Sequence, residues 1–281
     1  MTITFRELLT NTHLPRHEAR LLLQHVSQLT HAQLVAKDQN SVPEKIQQHF
    51  KAFVKARQMG QPIAYLIGMR EFYQRPFLVS PATLIPRPDT ELVIDTALSL
   101  FNKASAKTIL DLGTGSGIIA ITLALEEPIW QLSAIDCSAQ ALKIAMQNAR
   151  TLHATVRFML GHWFEPVSLK PSKFDMIVAN PPYIAAHDPH LKMGDLRFEP
   201  QDALTDYGDG LAHLAHIIHQ APHFLVNKGW LVLEHGFSQG KAVRTMLRQN
   251  SFVAVRTERD LANKERVSVG QYLSDSLLCA P

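Results

Sequence analysis

The chain has 281 residues, 46% of them hydrophobic and 19% charged, and its mean hydropathy is near zero. This excludes a disordered or fibrous protein and leaves enough core material for two domains. Net charge is only +3 but uneven: residues 1–80 hold ten Lys and Arg against five Asp and Glu, and the remainder eighteen against twenty.

The first sixty residues predict helices. FRELL, PRHEARLLLQHVSQL and SVPEKIQQHFKAFVKARQMG carry apolar residues three and four apart, with Ser41 and Pro43 marking a helix start and Gly60 a helix end. The aromatic, proline-punctuated GMREFYQRPFLVSPATL suits a hairpin linker. LIPRPDTE then reads as a helix start capped by Asp89. Beyond it strands alternate with helices: TILDLG, GIIAITLALEE, QLSAID, SAQALKIAMQNARTLH, VRFML, FDMIVAN, GLAHLAHIIHQAPHFLV, GWLVLEHG, SQGKAVRTMLRQN, FVAVRTE and RVSVGQYL. That rhythm predicts an α/β fold with a doubly wound parallel sheet. The last two strands lack room for a crossover helix, so one is expected to run antiparallel at the sheet edge. The expected division is a helical domain over 1–67, a hairpin linker over 68–85 and the sheet domain over 86–281.

No apolar run reaches a membrane span, and the opening MTITFRELLTNTH lacks a signal-peptide layout, so a cytoplasmic protein is expected. Cys137 and Cys279 match no metal or disulfide spacing, and two reduced thiols are expected. His213, His216, His219 and His223 have no cysteine or acidic partner that suggests a metal shell, so they read as a solvated face and no metal is expected.

ILDLGTGSGIIA sets Gly113, Gly115 and Gly117 between a strand and a helix, where positive φ and close ligand approach are available. The G-x-G-x-G spacing weakens a nicotinamide reading. Asp136 ends the next strand, where a carboxylate can accept from both hydroxyls of a ribose. The turn and the acid predict a ribose-bearing cofactor at the carboxyl ends of the strands.

FDMIVANPPY stops a buried strand on Asn180, Pro181, Pro182 and Tyr183. The Asn180 side-chain oxygen can accept one N–H of a planar NH2 group and the Pro181 carbonyl the other. Pro182 keeps the turn rigid, and Tyr183 offers a flat face. A conjugated NH2 is a poor nucleophile, so it needs a strong electrophile such as the methyl of S-adenosylmethionine. Alignment can remove roughly 7–11 kcal/mol of barrier, enough to carry much of the catalysis without a strong base.

NPPY after DLGTGSG resembles the seven-stranded S-adenosylmethionine-dependent methyltransferases, a class I, Rossmann-like fold. Together with GQPIAYLIGMREFYQRPFLVSPATLIPRPDTE, DPHLKMGDLRFEP, LVLEHG and NKERVSVG, it resembles the release-factor glutamine methyltransferases over nearly the whole chain. The resemblance implies methyl transfer to N5 of the glutamine in the Gly-Gly-Gln motif of peptide chain release factors. It implies a cofactor loop from Gly113 through Thr114, Gly115 and Ser116 to Gly117, a ribose-binding Asp136, and Trp163 near the adenine. It also places Asn180 to Tyr183 on the glutamine, Arg87 on the substrate backbone, and a helical domain that docks the substrate. Where relatives commonly carry an acid before Trp163, this chain has His162, so a neutral His acceptor or a backbone contact has to replace it. Arg197 and Glu199 fit either an ion pair or part of the substrate wall. A monomer without stable nucleic-acid contact is expected. The alternative, N6-adenine methylation of DNA or RNA, needs a basic groove that the near-neutral larger domain does not promise.

Overall fold

In a computed structural model, residues 3–101, 105–168 and 173–274 are described; Cys279 lies outside them. The chain divides into two units, Met1–Met69 with Met193–Phe198, and Arg70–Lys192 with Glu199–Pro281.

The first unit holds α1 (Phe5–Thr10), α2 (Arg16–Ser27), α3 (His31–Ala36), α4 (Glu44–Gln58) and α5 (Ile63–Ile67). Capping boxes start α1 (Thr4 with Glu7) and α3 (Thr30 with Gln33) by satisfying orphan N–H groups. Ser41 does not start α4: it bridges to Thr4, and Pro43 precedes the helix directly. Phe5, Leu8, Leu22, Leu23, Phe50 and Val54 form the core, each contributing roughly 1.5–3 kcal/mol of burial. Arg57 binds both oxygens of Glu18 at 2.7 and 2.9 Å and reaches Asp195 at 3.0 Å, fastening the 193–198 segment to α2 and α4.

The second unit begins at Arg70, within the hairpin of β1 (Met69–Phe72) and β2 (Arg75–Leu78), turned by Tyr73 and Gln74, both at positive φ as a tight primed turn needs. Phe72 and Phe77 are buried in the main core with Val93, Ile94 and Ile109. A 3-10 turn (Pro88–Thr90) leads into α6 (Glu91–Ser99). Asp89 does not cap it; Asp89 lies inside the turn and pairs with Arg266 at 3.2 Å.

The seven-stranded sheet comprises β3 (Thr108–Leu112), β4 (Gln131–Asp136), β5 (Val156–Leu160), β6 (Phe174–Ala179), β7 (Leu225–Glu234), β8 (Phe252–Arg259) and β9 (Glu265–Tyr272), in the order β5-β4-β3-β6-β7-β9-β8. Strand residues alternate between two cores. Ile109, Met176, Val178 and Val232 face α6, α7 (Ile118–Glu126) and the hairpin; Leu110, Ile177, Leu231 and Leu233 face α10 (Ala212–Gln220) and α11 (Gly240–Gln249). Helix α8 (Ala139–Leu152) joins β4 to β5, and the short α9 (Glu165–Ser168) precedes β6. Pro222 sits in a 3-10 turn after α10, and β7 begins at Leu225, paired with Phe174, so the expected helix through Val226 stops earlier.

The antiparallel strand is β9, and it is not at the edge. It inserts between β7 and β8, antiparallel to both. The burial explains the order: Val267 to Gly270 are buried, whereas β8 exposes Val253 and carries Arg256, Glu258 and Arg259, a charged strand suited to an edge.

Candidate active site

Strands β3 and β6 are parallel neighbours, with Leu112 beside Ala179. The chain reverses its order across the sheet here, because β4 and β5 lie on one side of β3 and β6 on the other. The next residues, Gly113 and Asn180, therefore emerge side by side at the carboxyl ends, the crevice where doubly wound sheets bind ligands.

Gly113, Gly115 and Gly117 have φ of +70°, +56° and +86°. At Gly115 an added Cβ would meet nothing, whereas at Gly117 it would stand 2.6 Å from Ile121 Cδ1 and 3.1 Å from Ala145 Cβ. Gly115 thus leaves space for a ligand, and Gly117 serves the packing of α7 on α8. The N–H groups of Gly113 and Thr114 donate to the Ile135 carbonyl at 2.9 and 3.0 Å. Asn148, 1% exposed, accepts from Leu78 N–H at 2.7 Å and donates to the carbonyls of Leu78 (3.0 Å) and Ser116 (2.9 Å). Beneath the turn, Asp111 accepts from the Thr114 hydroxyl at 2.6 Å and from Ala120 N–H at 3.3 Å. Its other oxygen has no hydrogen-bond partner among the described residues, and burial pushes its carboxyl up to about 7.

Asp136 accepts from Gly115 N–H and Ser138 N–H, both at 2.8 Å. Burial raises its pKa, and these two bonds offset part of that. Each oxygen keeps a lone pair for a further donor. Cys137 lines the same cavity with its thiol pushed up, first by burial and then by Asp136, so it is not an activated nucleophile.

Trp163, at φ +46°, lays its ring near Gly113, 3.6 Å from where a Cβ would stand. The rings of His162 and His213 flank it at 5.4 and 5.2 Å. His213 therefore leaves the expected solvated face for the cavity wall, while His216, His219 and His223 are exposed. Burial lowers its pKa, Asp206 opposes that, and His162 and His216 add to it. Among the described residues no cluster could hold a metal ion.

The cavity has a volume of about 650 Å³ and is lined by Gly115, Asp136, His162, Trp163, Asn180 and Pro182 among others. Asn180 donates its Nδ2 to the Thr90 hydroxyl at 3.2 Å, and among the described residues no donor reaches its Oδ1. Pro181 is buried beneath this surface. Tyr183 donates its hydroxyl to Glu234 at 3.1 Å, and its backbone carbonyl accepts from Gln239 at 3.0 Å. Burial and then the Glu234 charge hold the phenol well above its ordinary range. Arg87 pairs with buried Glu199 and does not line the cavity. Glu199 also accepts from Ile85 N–H at 2.9 Å, and Arg197 stacks on Phe198 at 4.9 Å. Sequence reasoning passed over Thr90, Asp111, Asn148 and Glu234. A usable signal was the charge of Asp111 and Glu234 inside apolar strand runs.

A family model described as the methyltransferase small domain matches residues 91–259, and one described as the PrmC N-terminal domain matches residues 3–68. The release factor glutamine methyltransferase of Neisseria gonorrhoeae is 45% identical over 271 residues, covering 96% of this chain and 98% of its own. That of Bordetella pertussis is 46% identical over 265 residues, covering 94% and 98%. A methyltransferase structure from Pyrococcus furiosus superposes with TM-score 0.54 at 14% identity, over 80% of this chain and 98% of its own. A T. thermophilus 16S rRNA N2 G1207 methyltransferase gives 0.52 at 14%, over 73% and 49%. Both structures bear on the fold alone. Sheet order and family model together define a class I, Rossmann-like methyltransferase. At this identity and coverage, the chain belongs to the release factor glutamine methyltransferase family.

Proposed function

We propose that this protein transfers a methyl group from S-adenosylmethionine to the side-chain amide nitrogen (N5) of the glutamine in the Gly-Gly-Gln motif of peptide chain release factors. The observation that carries the reading is the pairing of Leu112 with Ala179, which sets the glycine turn and Asn180-Pro-Pro-Tyr at one end of neighbouring strands.

The residues present suit the cofactor: open space above Gly115, a carboxylate at Asp136 with lone pairs to spare, and an aromatic wall at Trp163. In this reading Gly113, Thr114, Gly115, Ser116 and Gly117 form its loop, Asp136 takes the ribose hydroxyls and Trp163 lies by the adenine. When bound, the sulfonium supplies an electrophilic methyl group. Asn180 Oδ1 accepts one amide N–H and the Pro181 carbonyl the other, which fixes the nitrogen's plane. Pro182 stiffens the turn and Tyr183 packs against the amide. The nitrogen gains a methyl and loses one proton to solvent, so no side-chain base is needed. Positioning carries the rate, to the extent of roughly 7–11 kcal/mol for well-aligned reactants.

Arg87, held by Glu199, offers its remaining donors to the substrate backbone. The helical unit, with its share of the basic residues, docks the protein substrate. The enzyme works as a monomer in the cytoplasm without stable nucleic-acid contact. No helix among the described residues is long and apolar enough to cross a membrane.

The test is methyl transfer from labelled S-adenosylmethionine to a release factor, with a Gln→Ala variant of its Gly-Gly-Gln motif and duplex DNA in parallel. Label is expected on the intact factor alone, and Asn180→Ala is expected to lower kcat at least a hundredfold. Label on DNA alone would overturn the reading in favour of adenine.

A further inference from the structure

Asn180 can serve a substrate NH2 only if its amide faces the cavity with Oδ1, because the opposite rotamer sets donor against donor. The side chain cannot make that choice by shape, since its two ends are nearly equal in size. The choice is made by what lies behind it. There the Thr90 hydroxyl, 1% exposed, takes the Nδ2 hydrogen at 3.2 Å. A hydroxyl has one hydrogen, and Thr90 accepts reliably only if that hydrogen is drawn elsewhere. The Glu234 carboxyl, wholly buried at the end of β7, interacts with the Thr90 side chain and is the acid that could draw its hydrogen; it receives the Tyr183 hydroxyl at 3.1 Å. Glu234 Oε2 has no hydrogen-bond partner among the described residues. A buried acid with an orphan oxygen is a stability cost that an apolar residue would avoid, which points to a role in the site.

We propose that Thr90 and Glu234 are positioning residues that lock the Asn180 amide with Oδ1 toward the substrate. The inference rests on the glutamine reading above. The ordering runs from Glu234 through the Thr90 hydrogen to the Asn180 amide, and the same carboxylate fixes the Tyr183 ring. Protonated Glu234 would itself become a donor, the Thr90 hydrogen would turn toward Asn180, and the amide would favour the wrong rotamer. The groups facing Glu234 are Tyr183, Arg266 from β9 and Asp89 from the 3-10 turn. Burial is the largest influence on the carboxyl and pushes it up to about 7, while the Thr90 and Tyr183 hydroxyls and Arg266 lower it and Asp89 raises it.

The experiment measures kcat, KM and their pH profiles on a release factor for wild type, Thr90→Val, Thr90→Ser and Glu234→Gln, with calorimetric S-adenosylmethionine binding as the check on folding. Thr90→Val and Glu234→Gln are expected to lose tenfold or more in kcat, with cofactor affinity within twofold of wild type. Thr90→Ser is expected to stay within threefold in kcat. Wild-type kcat should fall as pH drops through about 7, and Glu234→Gln should lack that limb. If wild type methylates the factor but Thr90→Val stays within threefold, or Glu234→Gln keeps the acid limb, this inference alone fails. A wild type inactive on the factor would take down both readings.

Discussion

Replacing Asn148 by alanine would remove three hydrogen bonds that clip the hairpin and the glycine turn to α8. One joins a wholly buried acceptor, the Ser116 carbonyl at 2.9 Å; the other two serve the half-buried Leu78 N–H and carbonyl at 2.7 and 3.0 Å. An orphaned buried acceptor costs about 1–3 kcal/mol, and each bond that water can partly replace about 0.5–1.5. The loss is therefore expected to be roughly 2–6 kcal/mol, a large share of a domain's stability. Urea unfolding followed by tryptophan fluorescence reads it directly, because Trp130, Trp163 and Trp230 all lie in the second unit and the helical unit is silent. With a slope of about 2–3 kcal/mol/M, the midpoint should fall by about 0.7–3 M. A shift below about 0.3 M would mean that water takes over all three partners, and that the hairpin is held by Phe72 and Phe77 alone.

Three further outcomes follow from the same region. Gly117→Ala meets Ile121 and Ala145 at a positive φ, so it should cost roughly 2–4 kcal/mol of stability in the same unfolding assay. Gly115→Ala, with open space around it, should cost only about 1 kcal/mol but weaken S-adenosylmethionine binding in calorimetry; equal stability losses would refute the distinction. Asp111, raised by burial from 3.8 to about 7, binds its proton more tightly in the fold than in the unfolded chain. Its contribution to stability is thus present below about pH 4 and lost as pH rises through about 7. Relative to Asp111→Asn, the wild type should lose unfolding free energy between pH 5 and 8, and parallel curves would contradict the assignment.

Local patterns carried most of the architecture. Strands and helices alternate because each buries a stripe readable at period two or three to four, and the glycine turn and Asn-Pro-Pro-Tyr are both local devices. The partners behind the site were not legible. Thr90 lies ninety residues from Asn180, and Leu78 seventy from Asn148; no spacing rule connects them before the sheet order is known. The place of β9 escaped for the same reason, since strand order is decided by which strand can bury both faces. His213 was misjudged because its stripe gave no sign that Trp163, in a left-handed conformation, would turn to meet it.

The six residues Met193–Phe198 belong with the helical unit although some 120 residues separate them from it in the chain. The family model for that unit spans only residues 3–68. The helical unit is thus written in two places in the gene. Recombination at the 68/69 boundary would transplant Arg57 without Asp195, its partner at 3.0 Å. A chimera that borrows its helical unit from a relative should carry both pieces, and substitutions in α4 and in this short strap are expected to be inherited as a pair.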